Sequence, residues 1–302
     1  MILVAGGTGF LGSAIVRELV RQRVAPVAVL SRVPSKITRR FPDLTLEARG
    51  GDVTDPASLP AVLRGIETLI NCVQFPTSPI EVPRKGWTFE QVDYQGTVNL
   101  TEAARHEGVK RIVYLSGVGA APDAPKHWFR FKWQAEEAVR ASGITHTILR
   151  PTWVYGPEDV ALNRLLGFAR FLPLIPMFGD GKQLMQPVFV DDVAKAVILS
   201  LQTQAAANRT FEIGGPDAMT MDDVIQTALE VMGKRRFILH QPVLVGKALG
   251  RLASLLPSPP LSADAVDFIT QSAVADNGPL LEALGLRLTP FREGLATYLT
   301  GR

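Results

Sequence analysis

The stretch that decides the fold is MILVAGGTGFLG, residues 1–12. Its first five residues are apolar and short enough for a buried parallel strand, and residues 11–19 have the apolar spacing of an amphipathic helix. The glycines of the connecting turn are Gly6, Gly7, Gly9 and Gly12. Residues without a Cβ let the backbone bend sharply and approach a ligand closely. Because a helix N-terminus attracts anions, the stretch predicts a strand–turn–helix unit that holds the pyrophosphate of a dinucleotide.

Apolar and amphipathic segments alternate after this unit. Following a first helix at 11–23, the pattern predicts strands at 26–30, 44–49, 67–73, 110–116 and 146–150, and helices at 56–64, 88–107 and 129–142. Beyond residue 151 it predicts a helix and a proline-rich loop within 156–181, a strand at 185–190, a helix at 191–202 and a strand at 210–213. This order is typical of an α/β Rossmann-type doubly wound parallel sheet, whose ligands bind beyond the carboxyl ends of the strands.

Composition and residue counts argue against several classes of function. The chain has 302 residues and a net charge of +3, which is too small to argue for a nucleic-acid partner. Cys72 is the only cysteine and the four histidines lie in different segments, so we expect no disulfide within the chain and no metal site. No apolar run is long enough to span a membrane. Since the first strand begins at residue 1, we expect a cytoplasmic protein.

One late segment, residues 242–256, is unusually apolar. It carries Lys247 and Arg251 and is bounded by prolines. A packed amphipathic helix is the favoured interpretation, and a surface for a membrane or a partner is the alternative.

The glycine spacing also carries a family resemblance. Gly6, Gly9 and Gly12 are spaced one residue more widely than in the GxGxxG form. As GGTGFLG, the turn resembles that of extended and atypical short-chain dehydrogenases/reductases, the superfamily of NAD-dependent epimerases and dehydratases. The resemblance implies a dinucleotide-binding domain at 1–155, to which residues 184–214 return, and a smaller, mostly helical substrate lobe at 156–302.

The end of the second strand bears on the choice of dinucleotide. An acidic residue there accepts hydrogen bonds from the ribose 2′-OH of NAD, whereas a cation pairs with the 2′-phosphate of NADP. Here Ser31 and Arg32 occupy that place, and Lys36 follows. We therefore expect NADP(H) to be preferred, with NAD(H) possible; alternatively, Arg32 only stacks on the adenine or faces water. Asp52 resembles the superfamily aspartate near the adenine, although it could instead cap the next helix.

The resemblance implies a wider set of cofactor contacts. They are Gly6, Thr8, Gly9, Phe10, Leu11, Gly12, Ser31, Arg32, Asp52, Val53, Asn71, Cys72, Val73, Ser116, Lys132, Pro151, Thr152, Trp153 and Val154.

The usual catalytic residue of the superfamily is missing. Its members carry a tyrosine four residues before a lysine, so that both lie on one helix face and the lysine lowers the pKa of the phenol. In HWFRFKWQAEEAV, Lys132 matches the lysine, but Trp128 holds the tyrosine position. An indole has no acidic proton near neutral pH. The candidate catalytic residues are therefore Lys132 and Ser116, and the usual catalytic hydroxyl falls near Val118.

Two subgroups of the superfamily lack this tyrosine. One, the isoflavone-reductase-like enzymes, uses the lysine as its main acid/base together with NADPH. The other resembles the nucleotide-binding accessory subunit of mitochondrial complex I. This chain looks closer to the second group over most of residues 1–235, on the segments QFPTSPIEVPRKGWTFEQVDYQGT, WFRFK, LRPTWVYGPED and PVFVDDVAKA.

Two functions are therefore open. The first is an NADP(H)-binding protein with weak or no turnover and a structural or redox-sensing role toward a partner such as a respiratory complex, so that it is peripheral to the membrane through that partner. The second is an NADPH-dependent oxidoreductase or isomerase that uses Lys132 on a carbonyl, enone or quinone-like molecule. A homodimer through helices 88–107 and 129–142 is also expected, because superfamily members often pair there.

Overall fold

A twisted parallel sheet forms the centre of the molecule. The structure is a computed structural model that describes residues 1–254, 256 and 261–300. The strands of this part are β1 Ile2–Ala5, β2 Val27–Ser31, β3 Glu47–Gly50, β4 Thr68–Asn71, β5 Arg111–Leu115, β6 Thr145–Pro151, β7 Val154–Tyr155, β8 Leu174–Phe178, β9 Leu184–Met185, β10 Val188–Phe189, β11 Arg209–Ile213, β12 Met219–Thr220 and β13 Phe237–Gln241. Seven of the strands in these ranges form the central sheet, in the order β11-β6-β5-β4-β1-β2-β3, and all of its pairs are parallel.

The helices follow the strands. They are α1 Phe10–Arg21, α2 Ser35–Arg40, α3 Leu59–Leu63, α4 Gly96–His106, α5 His127–Ala141, α6 Val160–Phe171, α7 Val190–Gln202, α8 Met221–Val231, α9 Val243–Ala253, α10 Ala263–Thr270, α11 Gly278–Leu284 and α12 Phe291–Leu299. The helix predicted at 88–107 begins as a π-helical segment, Phe89–Gln95, before α4 continues it. In the described residues, no helix is both long and apolar enough to cross a bilayer.

The predicted doubly wound α/β fold is confirmed. Strand order reverses beside β1, whose four residues are buried on both faces: Ile2 and Val4 pack with α1 and α7, while Leu3 and Ala5 pack with α3, α4 and α5. This two-sided burial explains the continuous apolar run, since a parallel strand between two helical layers has no polar face. Ala5 is in register with both Leu30 and Asn71, so the chain leaves β1, β2 and β4 at one edge.

Two local predictions after residue 151 are wrong. Residues 174–178 are not a loop but strand β8, which pairs in parallel with β13 in spite of Pro176. The single strand predicted at 185–190 is two short strands: β9 pairs with β12 and β10 pairs with β7. β11 pairs with β6 at the border of the central sheet, and α7 packs against α1. Residues 184–213 therefore lie partly in the central sheet layer and partly against the C-terminal cluster formed by α6, α8 and α12.

Segment 242–256 is the third difference. It forms α9 as predicted, but the helix is not packed through its apolar face: its buried residues are Gly246 and Gly250, and most of its leucines face outward. Residues 255, 257–260 and 301–302 of the predicted C-terminal lobe lie outside the described residues.

Candidate functional site

A large cavity opens at the carboxyl edge of the sheet. Its volume is about 1310 Å³, and its walls come from the ends of β1, β2, β4, β5 and β6, from α5 and from the C-terminal segments around β8 and α10. All of the predicted cofactor contacts except Asn71 line it. Asn71 lies below the wall, where its side chain donates to Thr97 Oγ1 at 3.0 Å and accepts from the Val73 N–H at 3.1 Å. Its side chain therefore supports the wall rather than lining the cavity.

The glycine turn is shaped for close approach. Gly6 has a φ of +82°, and a Cβ on it would lie 2.6 Å from the carbonyl oxygen of Cys72. A Cβ on Gly12 would overlap the carbonyl oxygen of Gly6, so α1 can approach the turn only without a side chain there. Gly9 at the N-cap of α1 supplies no side-chain cap, and the first turn holds no acidic residue. The first N–H groups of a helix have no acceptor within it, and residues 9–12 line the cavity, so the start of α1 is suited to bind an anion there.

Two cations line the cavity where β2 ends. Arg32 and Lys36 are exposed, and neither side chain makes a hydrogen bond or ion pair with any residue that the structure describes. Ser31 turns its hydroxyl to the backbone of Val33, to whose carbonyl oxygen it donates at 3.0 Å. No carboxylate follows β2 directly, so this corner of the cavity suits an anionic group.

Asp52 and Cys72 each have a partner within the protein. Oδ1 of Asp52 accepts from the N–H of Thr54 at 2.9 Å and from its hydroxyl at 2.8 Å, whereas Asp55 caps the following 3₁₀ turn. The Cys72 thiol lies 3.0 Å from the carbonyl oxygen of Ala5, to which it donates. Burial raises the pKa of this thiol to about 12, so it stays protonated and unreactive.

Lys132 forms a buried ion pair that the sequence analysis did not predict. Its Nζ lies 2.8 Å from Oδ1 of Asp93, a fully buried residue of the π-helical segment, although the angles are not those of a directed hydrogen bond. The ammonium also lies over the ring of Tyr114, 5.9 Å from its centroid. Burial alone would lower the pKa of Lys132, but the neighbouring Asp93 raises it above the usual value. Burial also disfavours the charged form of Asp93 and therefore raises the pKa of this carboxyl, whereas the nearby Lys132 ammonium opposes that rise. The pair is best described as one coupled charged unit.

Ser116 also has an internal partner. Its hydroxyl donates to Oε1 of Glu136 at 2.5 Å, and that carboxylate is fully buried. Arg150 binds both oxygens of Glu136, at 2.8 Å and 2.7 Å, and Arg140 adds a further contact of 2.7 Å. Because its proton is engaged by Glu136, the Ser116 hydroxyl can accept a hydrogen bond from a ligand in the cavity more readily than it can donate one.

Trp128 is fixed among aromatic rings. It is 2% exposed and packs against Phe89, His127, Phe129 and Phe268, with ring centroids 5.1 to 6.2 Å apart. Its indole lines the cavity, and its N–H has no hydrogen-bond partner among the described residues.

None of the four tyrosines is among the described residues that line the cavity. Tyr155 packs at the junction with the C-terminal segments, where its hydroxyl donates to the carbonyl oxygen of Phe291 at 3.3 Å. Tyr114 is buried below Lys132, and burial raises the pKa of its phenol to about 12.

The opposite end of the cavity is apolar. Its walls there are Pro176, Met177, Phe178, Met221, Leu261, Phe268 and Ile269.

Asp159 lies on another wall, almost fully buried, and burial raises its pKa to about 6 even though the N–H groups of Ala161 and Leu162 donate to it. In the loop between β4 and the π-helical segment, Lys85 lines the cavity and lies over the ring of Trp87, at 4.7 Å from its centroid, whereas the neighbouring Arg84 does not line the cavity.

Sequence reasoning missed Asp93, and a signal was available. Phe89, Val92 and Asp93 share one helix face with Leu100, and the other three are core residues. A carboxylate on an apolar face must have a partner, and this reasoning applied to residues 88–107 would have pointed to a buried cation. The C-terminal part of the cavity wall had no comparable signal.

Comparisons with known proteins agree with this geometry. The model of a family described as NAD(P)H-binding matches residues 6–166, and that of the NAD dependent epimerase/dehydratase family matches residues 127–214. The mitochondrial NADH dehydrogenase [ubiquinone] 1 alpha subcomplex subunit 9 of Arabidopsis thaliana is 28% identical over 94% of this chain and 73% of its own length. The NAD(P)H azoreductase of Xenophilus azovorans is 28% identical over 78% of this chain and 74% of its own.

A solved structure has the same fold. The NADPH-dependent quinone oxidoreductase QOR2 of Escherichia coli, complexed with NADPH, superposes with a TM-score of 0.75 at 20% identity, covering 98% of this chain and 99% of its own. The resemblances inferred from the sequence, both to the epimerase/dehydratase-like superfamily and to the complex I accessory subunit, are confirmed.

Proposed function

Because the chain belongs to the NAD(P)H-binding family, we propose that it binds NADPH in preference to NADH and turns it over weakly or not at all. The glycine turn and the first turn of α1 hold the pyrophosphate. Arg32 and Lys36 hold the 2′-phosphate, and Asp52 and Val53 border the adenine. Lys132 lies at the nicotinamide ribose, with residues 151–154 beside the ring.

The preference for NADPH is supported by the two cations that line the cavity after β2. Arg32 and Lys36 have no protein partner in the described ranges and no carboxylate beside them at the end of β2, so a phosphate would supply the missing charge. Titration of nucleotide-stripped protein, followed by tryptophan fluorescence, tests this assignment. We expect Arg32→Ala to weaken NADPH binding about tenfold and to leave NADH binding unchanged.

Arg39→Ala is the matched control for this titration. Arg39 is exposed on α2, the helix that follows Arg32, but does not line the cavity, so both affinities should stay as in the wild type. Equal affinity of the wild type for both nucleotides would contradict the preference. Absence of binding to either would remove the whole assignment.

Weak turnover is supported by one observation: within the described residues, no tyrosine or histidine lines the cavity. A bound nicotinamide supplies a hydride, but the acceptor also needs a proton, and general acid help is worth about 100-fold to 10,000-fold in rate. Asp93 keeps Lys132 protonated, and Ser116 donates to Glu136. Neither Lys132 nor Ser116 is therefore arranged to exchange a proton near neutral pH in the way a lysine-activated tyrosine does.

Trp128→Tyr tests whether the replaced tyrosine accounts for low activity. We expect the variant to gain reductase activity with NADPH on a panel of carbonyl substrates, and Trp133→Tyr, on the same helix but outside the cavity wall, to gain none. A wild-type turnover within the ordinary enzymatic range of about 1–1,000 s⁻¹ on any of them would overturn the proposal of weak turnover. If Trp128→Tyr stays inactive, the missing tyrosine is not the cause.

A second function is favoured by the apolar end of the cavity. At about 1310 Å³ the cavity is larger than the roughly 300–1,000 Å³ of most ligand sites, so an apolar molecule fits beside the dinucleotide. The alternative is an oxidoreductase that passes a hydride from NADPH to a quinone-like acceptor, while a proton from water completes the hydroquinone and NADP⁺ is released. Quinone-dependent loss of NADPH absorbance, reduced by Phe268→Ala but not by Val274→Ala, would favour this alternative.

A partner is the remaining part of the proposal. The Arabidopsis relative is named as a subunit of a respiratory dehydrogenase, so we propose a partner of that class for a cofactor-bound form of this chain. Co-migration with a respiratory complex on native gels, lost in a variant that cannot bind NADPH, is the expected result.

The homodimer through residues 88–107 and 129–142 stays a prediction, and light scattering measures it.

A further inference from the structure

Helix α9 turns its larger apolar side chains outward, whereas an ordinary surface helix turns them toward the core. Gly246 and Gly250 form its buried face: a Cβ on Gly246 would meet the ring of Phe178, and one on Gly250 would meet the backbone before α10. The glycines let the helix lie close to the body of the protein through its small face. On the far side, an apolar arc faces away from the protein and consists of Leu244, Val245, Ala248, Leu249 and Leu252, which we call the α9 surface.

The α9 surface is continuous along the helix. Leu244, Ala248 and Leu252 are four residues apart, and Val245 and Leu249 lie beside them on the next row, so the arc runs the full length of α9. Leu244 is 78% exposed, and Leu256 just beyond the helix is also exposed. Such a long apolar arc facing outward is unusual, because soluble proteins rarely leave contiguous apolar patches uncovered.

More exposed apolar residues lead into the helix. Phe237, 83% exposed, begins β13, and its N–H donates to the carbonyl oxygen of Pro173 at 3.2 Å, which brings it next to the exposed Phe171 and Leu172. β13 ends at Gln241, and Pro242 then caps α9. The apolar residues therefore belong to one stretch of neighbouring elements.

The chain segment that contains α9 carries formal charges of a single sign. No aspartate or glutamate occurs between Glu230 and Asp264, although the chain has 29 acidic residues in 302. The cations in that interval are Lys234, Arg235, Arg236, Lys247 and Arg251. Lys247 pairs with Asp267 at 2.6 Å, whereas the side chains of Lys234, Arg235 and Arg251 make no ion pair in the described part of the chain.

We propose that the α9 surface docks onto an anionic phospholipid bilayer, with α9 lying in the plane of the headgroups. An apolar arc in a segment that carries unpaired cations, Arg251 on α9 itself and Lys234 and Arg235 before β13, matches a surface that offers acyl chains below negative headgroups. Because α10 packs beside α9 and its Phe268 and Ile269 line the cavity, docking also holds the apolar end of the cavity near the bilayer. The proposal does not depend on which dinucleotide is bound.

Vesicle co-sedimentation tests the proposal. The full chain should sediment with phosphatidylcholine vesicles that contain phosphatidylglycerol, less with phosphatidylcholine alone, and less at high salt. The variant Leu244→Gln/Leu249→Gln/Leu252→Gln keeps good helix formers, and we expect its partitioning onto anionic vesicles to fall about tenfold or more. Lys234→Gln/Arg235→Gln/Arg251→Gln should remove the preference for anionic vesicles.

Matched controls distinguish binding through the α9 surface from nonspecific binding to vesicles and from loss of the fold. Val274→Gln removes an exposed apolar residue elsewhere, and Arg64→Gln/Lys110→Gln removes two exposed cations on another face; both should bind vesicles as the wild type does. Unchanged melting and dinucleotide binding show that the leucine variant is folded. Failure of the wild type to bind anionic vesicles, or equal binding by the leucine variant, overturns the proposal. A wild-type oligomer that the leucine variant converts to monomer would also overturn it, by assigning the surface to a second copy.

Discussion

At the scale of single residues, Asp159 makes stability depend on pH. Its pKa is raised by burial to about 6, while the same carboxyl in the unfolded chain titrates near 3.9. Between these two values the folded state holds the proton that the unfolded state has released. Stability therefore falls as pH rises through this window and levels off above it.

Replacement by asparagine should remove this pH dependence. Asp159→Asn keeps a carbonyl oxygen for the N–H groups of Ala161 and Leu162 but carries no charge. We expect the variant to gain about 2 kcal/mol relative to the wild type between pH 4.5 and pH 7.5, at about 1.4 kcal/mol for each pKa unit. Urea unfolding at several pH values measures the difference. A difference that stays constant with pH would show that Asp159 does not titrate in this window.

Asp93 and Lys132 lead to a prediction of a different kind. Asp93→Asn leaves the ammonium of Lys132 buried without its counter-ion, and loss of one partner from a buried pair costs about 3–5 kcal/mol. Asp93→Asn/Lys132→Met removes both charges and should recover most of that loss. Denaturant unfolding of the two variants beside the wild type provides the measurement. If Asp93→Asn is as stable as the wild type, the two side chains are not coupled in the folded protein.

These residues also show where reasoning from sequence stops. Lys132 could be found because it lies at a fixed spacing on a helix whose neighbours resemble a known pattern. Its partner Asp93 lies one element earlier in a π-helical segment, and the Ser116–Glu136 contact joins a strand end to a helix. Contacts of this kind depend on how elements pack, which local periodicity does not encode.

At the scale of elements, the hydrophobic pattern of the sequence predicted β1, β2, β4, β5 and β6 because most residues of these strands are buried between two helical layers. β8 escaped prediction because Pro176 interrupts its pattern, and its partner β13 lies far along the chain. The two-residue strands β9 and β10 are too short for a period and exist only through pairing with β12 and β7. α9 was predicted as a helix, but its outward leucines and inward glycines could be seen only once its neighbours were placed.

The glycine turn gives a prediction at this scale. Gly12→Ala places a methyl group against the carbonyl oxygen of Gly6, so either α1 moves away from the turn or the turn opens. We expect lower stability and loss of dinucleotide binding. Gly167→Ala, inside α6 where a Cβ meets nothing within 4 Å, should instead stabilise the fold by about 0.5–1 kcal/mol. Wild-type affinity in Gly12→Ala would mean that the tight turn is not required for binding.

At the scale of the whole molecule, the cavity wall joins both halves of the chain. Residues before 156 form the glycine turn and the strand ends, while β8 and α10 close the opposite side. At the cavity wall, Glu158 pairs with Arg40 of α2, and away from the cavity the buried Asp192 of α7 accepts from the N–H of Thr289 at 2.6 Å. A ligand that fills the cavity should therefore stabilise the two halves together.

NADPH should accordingly shift one unfolding transition of the whole chain. A ligand present at about 100 times its dissociation constant adds about 2.7 kcal/mol to the free energy of unfolding. We expect tryptophan fluorescence, which includes Trp128 and Trp153 in the cavity wall, and far-ultraviolet circular dichroism to give the same raised midpoint. Arg32→Ala should need about tenfold more NADPH for the same shift. Two separate transitions, of which only one responds to NADPH, would mean that the halves unfold independently and that the contacts between them do not couple them.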